Sequence, residues 1–231
     1  MKISWFSAGV SSAVATKIAT PDRVIYIDIE DQHPDTYRFI VDCEKWFGKK
    51  IQVLKSPLKS VEQCCLSCSF IRGPKDAACT NRLKKRVRKE WEYANPGRHT
   101  YIWGFDCNER HRAEGTERAM PKYDHLFPIL DRTKSEVHGI LEAAGIKRPI
   151  MYDMGYSNNN CVGCVKGGMG YWNKIRVDFP EVFTRRAAME RKIGGHILKE
   201  CFLDDLDPKR GKQGDMIIPE CGVFCELEAI A

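Results

Sequence analysis

Apolar and polar positions alternate along the first part of the chain in two rhythms. Four short segments are almost continuously apolar: "KISWF" (2–6), "RVIYIDI" (23–29), "KIQVLK" (50–55) and "TYIWGF" (100–105). Such runs predict strands buried on both faces of a parallel sheet. Between them the period lengthens. A helix over 13–19 stops at Thr20-Pro21, because proline cannot continue it. Another over 35–48 carries Phe39, Ile40, Cys43, Trp46 and Phe47 near helical spacing, with Gly48 as its stop. Residues 82–93 read as a basic helix, with Leu83, Val87 and Trp91 facing the core and Arg82, Lys84, Lys85, Arg86, Arg88 and Lys89 covering the rest. A further helix over 134–144 is ended by Gly145. The C-terminal third is rich in Cys and Gly and follows neither period. Strands separated by helices predict an α/β fold, a doubly wound and mainly parallel sheet, followed by a Cys/Gly-rich C-terminal region.

Composition narrows the class. The 231 residues are 43% hydrophobic, enough for a real core, and no apolar run reaches the length of a membrane span. The apolar run at the start is too short for a signal peptide, so a cytoplasmic protein is expected. The net charge of +6 suits an anionic substrate without by itself indicating nucleic acid. Eleven cysteines, an odd number, argue against a disulfide framework and for thiol chemistry or metal ligation by some of them.

Three places carry candidate chemistry. Ser7, Ala8, Gly9, Ser11 and Ser12 follow the first strand, where ligands bind in open α/β sheets. Small residues there let backbone N–H groups and a helix N-terminus approach an anion; tight packing is the plain alternative. The spacing is neither G-x-G-x-x-G nor a P-loop. Cys161 and Cys164 form a C-x-x-C, suited to zinc, an iron–sulfur cluster or a dithiol. Partners for them would come from Cys65, Cys68, Cys79, Cys221 or Cys225. After the fourth strand, Gly104 permits a close turn, and Arg110 and Arg112 are candidates to clamp phosphate, with Glu109 orienting one of them. His33 and His111 are further acid–base candidates.

In order, "SAGVSS", "CTNRLK", "FPILDRTKSEVHGILEAAGIKRPIMYDMGYSNNNCVGC" and "ECGVF" resemble the phosphoadenylyl-sulfate (PAPS) reductase family of the PP-loop, or adenine nucleotide α-hydrolase, superfamily, most of all its phage-type members. The resemblance implies a Rossmann-like domain over 1–160 and a Cys-rich extension over 161–231 packed on the same domain. It places Ser7, Ala8, Gly9, Val10, Ser11 and Ser12 around an adenine nucleotide, ATP or PAPS, with Asp28 beside the adenosine and Gly104, Arg110 and Arg112 nearby. It makes Cys79, Cys161 and Cys164 ligands of a [4Fe-4S] cluster, either three-cysteine with an open iron to bind a sulfur species or completed by Cys68, Cys221 or Cys225, and Cys221 the nucleophile. Four positions depart from the family pattern: Ala8 replaces a glycine, Ser11 an aspartate, Arg132 a tryptophan and Phe224 a histidine.

Three functions compete. The first is a PAPS- or adenylyl-sulfate reductase-like enzyme performing sulfur transfer or reduction with a thioredoxin-like reductant. The second is ATP-dependent thiolation of tRNA or DNA, with Mg2+ accompanying ATP. The third is a non-enzymatic nucleotide- or cluster-binding accessory protein. A homodimer is compatible with each; a membrane partner is not expected. The sequence leaves open the roles of Cys64, Cys65, Cys68 and Cys225.

Overall fold

The computed structural model describes residues 1–73 and 76–212. Its centre is a five-stranded sheet, built from β1 (Lys2–Phe6), β2 (Arg23–Asp28), β3 (Ile51–Lys55), β4 (Thr100–Ile102) and β5 (Asp124–Leu126). The order is β3-β2-β1-β4-β5 and every pairing is parallel, as the apolar runs predict. Register brings Phe6 beside Tyr26 and Ser4 beside Ile102. From β1 the chain winds outward through β2 and β3, then returns to place β4 on the other side. The direction of winding reverses between β1 and β4, and this opens a crevice at their carboxyl ends.

Side chains alternate across the sheet with the two-residue period of a strand. Ile3, Trp5, Ile25, Ile27 and Tyr101 join one core with Val87 and Trp91 of α4 (Arg86–Ala94) and Ala113 of α5 (Arg110–Ala119). Phe6, Val24, Tyr26 and Ile102 join the other, with α1 (Val10–Ala19), α2 (Asp35–Phe47) and α6 (Lys134–Ala143). Helix ends follow local chemistry. Thr20 and Gly48 close α1 and α2 in left-handed conformations, and Thr133 and Glu136 form a capping box on α6.

A third cluster lies at the carboxyl end of the sheet. It joins α3 (Val61–Cys68), the short α7 (Ile150–Asp153), the C-x-x-C loop, α8 (Met169–Asp178), α9 (Pro180–Ile193) and residues 197–206. The sequence periodicity did not reveal α3, α5, β5, α7, α8 or α9. β5 has three residues, too few to show a period, and α8 mixes apolar and charged residues around its circumference.

Two expectations are corrected. The fourth strand ends at Ile102: the Trp103 N–H still donates to the Leu126 carbonyl of β5 at 3.0 Å, and Gly104 then turns onto the start of α1. The basic helix begins as a π-helical turn over Thr80–Lys85, and two of its cations are not on the solvent face. Lys84 is buried, and Arg88 is buried against Glu92 at 3.7 Å and the Met120 sulfur. Among the described residues no helix is long and apolar enough to cross a membrane.

Candidate nucleotide site

Helix α1 starts at the crevice, immediately after the turn that leaves β1. Its cap residue, Gly9, is extended and has no side chain to occupy the helix N-terminus. Beneath the turn, Ser4 and Thr16 hydroxyls share a buried 2.6 Å hydrogen bond that fixes α1 to β1. The Ser7 N–H donates to Ser12 Oγ at 3.1 Å, closing the loop on itself. The Val10 N–H donates to the Tyr152 hydroxyl at 3.2 Å. Ala8 is held at φ +59, a conformation that suits glycine far better than alanine.

Gly104, from the far side of the crevice, lies on the first turn of α1. A Cβ at this position would stand 2.8 Å from Ser12 N and 2.9 Å from the Ser11 carbonyl carbon. Only a residue without a side chain allows the segment after β4 to approach the α1 backbone so closely. Asp28, at the end of β2, accepts a 2.8 Å hydrogen bond from the Tyr37 hydroxyl. Burial, reinforced by this carboxylate, pushes Tyr37 up to about 12.

Arg110 and Arg112 do not act as a pair. Two residues apart on a helix, they face different ways. Arg110 is exposed, whereas Arg112 is buried, ion-paired with Glu109 and stacked 4.5 Å over the Phe105 ring. Glu109 does orient an arginine, but it orients the buried one. His33 caps α2 by accepting the Asp35 N–H on Nδ1 at 3.1 Å, and His111 is exposed.

The C-x-x-C loop closes the third side. Asn159 Nδ2 donates to the Ala8 carbonyl at 2.9 Å and to Thr36 Oγ1 at 3.2 Å. Gln32 Nε2 lies 3.7 Å from Cys161 Sγ, and the Val162 N–H donates to the Asp31 carbonyl at 2.8 Å. The Cys164 N–H donates to the buried Tyr171 hydroxyl at 2.8 Å. Gly163 takes φ +71 between the two thiols, and a Cβ there would collide with Val182 of α9 at 2.5 Å. Arg186 of α9, 1% exposed, pairs with Asp31 and donates to the Gly163 carbonyl. Sequence reasoning missed Asn159, Gln32, Tyr152 and Arg186. An asparagine run before the C-x-x-C was a signal for the first; an arginine on a mixed helix gave none for the last.

Several buried polar atoms here have no hydrogen-bond partner among the described residues: Tyr26 Oη, Gln32 Oε1, Thr80 Oγ1 and Asn159 Oδ1. Asp28, Cys161 and Lys84 lie near enough to Tyr26 to act on its hydroxyl, whose pKa burial drives upward. Unsatisfied groups of this kind are costly in an apolar interior, and a polar ligand would satisfy them.

Cys79 precedes the π-helical turn and packs against the same cluster as Cys64, Cys65, Cys68, Cys161 and Cys164. Shared packing is not convergence. Among the described residues no three His, Cys, Asp or Glu side chains stand close enough to hold a metal ion. Cys221 and Cys225 lie outside the described residues.

The fold and the crevice define an α/β protein whose nucleotide-type loop sits where the sheet changes winding direction. The chain belongs to the phosphoadenosine phosphosulfate reductase domain family, whose model matches residues 3–167, and so to the PP-loop superfamily. Family membership supports a nucleotide-binding, sulfur-related function. The chain is also similar in fold to a phosphoadenylyl-sulfate reductase from Candida auris, solved as a phosphate complex. That similarity has a TM-score of 0.51 at 12% identity, covering 69% of this chain and 80% of the other. A search of curated proteins returns no match. The family match stops just after Cys164, so α8 and α9 lie beyond it.

Proposed function

We propose that this chain binds an adenine nucleotide at the β1–α1 loop and performs PAPS reductase-like sulfur transfer or reduction. One observation carries the reading. The amino end of α1 lies, under a glycine cap with no side-chain cap bond, at the carboxyl end of β1, where Gly104 reaches its first turn. The partial positive charge of that helix end suits a phosphate or phosphosulfate. Asp28 would flank the adenosine, and exposed Arg110 would meet the anionic groups. Buried Arg112 would set the shape of the β4–α5 turn rather than touch the ligand.

In this reading the Cys221 thiolate attacks the sulfur of the phosphosulfate. A sulfur–sulfur bond forms, and the sulfur–oxygen bond breaks as the nucleotide leaves with the electron pair. A thioredoxin-like dithiol then attacks Cys221, expelling sulfite; its second thiol resolves the mixed disulfide. The test supplies PAPS, then adenylyl sulfate, with a reduced dithiol protein, and measures sulfite and released nucleotide. Turnover lost in Cys221→Ser supports the reading. Tight nucleotide binding with no sulfite favours the non-enzymatic alternative.

A second reading, ATP-dependent thiolation of tRNA or DNA, draws on one surface feature. A groove of about 660 Å³ runs along α4, lined by Asn81, Lys85, Arg86, Lys89, Glu90 and Tyr93. Tyr93 is 91% exposed, as a residue stacking on a base would be. This reading requires AMP and pyrophosphate to form from Mg2+-ATP only when nucleic acid is present. Iron and sulfide analysis of anaerobically purified protein tests the [4Fe-4S] expectation separately.

A further inference from the structure

The turn after β1 and the C-x-x-C loop are far apart in sequence and meet at Asn159. This side chain is 3% exposed. Its amide nitrogen spans from the Ala8 carbonyl on the β1–α1 turn to Thr36 on α2. Ala8 is the residue in that turn with a left-handed backbone, the conformation least natural to alanine. Two residues beyond Asn159, Cys161 lies against Gln32 of the β2–α2 connection, and Val162 is bonded to Asp31 of the same segment. The thiol-bearing loop is therefore tied to both turns that border the crevice.

We propose that Asn159 is a positioning residue that couples the two loops. It holds the Ala8 peptide in its unfavourable orientation and so sets the N-terminal turn of α1 for ligand. The inference rests on the reading that an adenine nucleotide binds at this turn. Anything that displaces the C-x-x-C loop, such as alkylation of Cys161, then weakens nucleotide binding. Coupling of this kind is reciprocal, so bound nucleotide holds the C-x-x-C loop in place and shields Cys161. Position 8 determines how much the hold matters: a glycine there adopts the left-handed conformation readily and needs less restraint.

The test uses the full chain and two probes, adenosine 3′,5′-bisphosphate and ATP, with affinity measured by calorimetry. Asn159→Ala is expected to weaken binding of whichever probe binds by about tenfold or more. Ala8→Gly in the Asn159→Ala background is expected to recover part of that loss. Independently, saturating nucleotide should slow iodoacetamide labelling of Cys161 several-fold in the wild type and lose that effect in Asn159→Ala. The labelling measurement on the wild type stands whether or not the variant folds. Unchanged affinity in a folded Asn159→Ala, or Cys161 labelling indifferent to bound nucleotide, overturns the coupling alone. Failure of the wild type to bind either nucleotide overturns the reading of the loop and the coupling with it.

Discussion

Gly104 lies against the backbone of Ser12, with room for a hydrogen and not for a methyl group. The three atoms a Cβ would meet all belong to the α1 backbone, so none can rotate away. Gly104→Ala should lower stability by about 1–3 kcal/mol, the usual cost of overpacking. It should also displace the first turn of α1 and weaken nucleotide binding. Urea unfolding and calorimetry check both; a variant as stable as the parent contradicts the packing argument.

Arg186 and Asp31 form a buried ion pair that anchors α9 to the β2–α2 connection. Removing one partner leaves a buried charge without its counter-charge, at a cost of about 3–5 kcal/mol. Arg186→Met should therefore destabilise strongly. Adding Asp31→Asn should return part of the loss, because the stranded carboxylate is gone. Chemical unfolding of the single and double variants measures the difference; equal losses would show that the ion pair is not the cause.

His138 sits beside Tyr152, ring centroids 4.9 Å apart. Burial first, then the cations of Lys134 and Arg148, press its pKa from 6.5 to about 4. The unfolded chain thus binds a proton more readily than the folded one across that interval. Stability contributed by this site falls as pH drops from about 6.5 towards 4 and is flat above it. As pH falls from 6.5 to 4 the thermal midpoint of the wild type should drop relative to that of His138→Gln, with a constant difference between the two above that range. Parallel curves would refute the assignment.

Cys64 and Cys65 are buried on α3, and burial pushes their thiols up to about 11 and about 12. At pH 8 roughly a thousandth or less of each would be thiolate, the reactive form. Half-buried Cys107 has more access to solvent. Mass mapping after brief iodoacetamide treatment at pH 8 should find Cys107 labelled before Cys64 and Cys65. Early labelling of the α3 pair would show that they are not packed as described.

Much of the sheet was legible because apolar runs and stop residues act locally. "KISWF" and "RVIYIDI" pair in register, and Thr20 and Gly48 close their helices in left-handed conformations. The site was legible only in part. The small residues at 7–12 mark the tight turn after β1, but they do not say which carbonyl is held or by what. Arg110 and Arg112 look alike in sequence; one is in solvent and the other is buried beneath Phe105 and Glu109. Cys79 and the C-x-x-C share a core, as common membership of a site would require, without converging as metal ligands among the described residues.

The sequence by itself determined four of the five strands, the helices α1, α2, α4 and α6, and the family. These depend on hydrophobic period, helix caps and short motifs, each readable within a few residues. Tertiary structure decided what meets what. The Asn159 contact with Ala8 spans 151 positions of chain, and the Arg186 pair with Asp31 spans 155. Such contacts depend on how the sheet winds and where α9 returns, and no local pattern encodes them. A buried arginine and a surface arginine have the same side chain; only the packed fold supplies the carboxylate that makes burial tolerable.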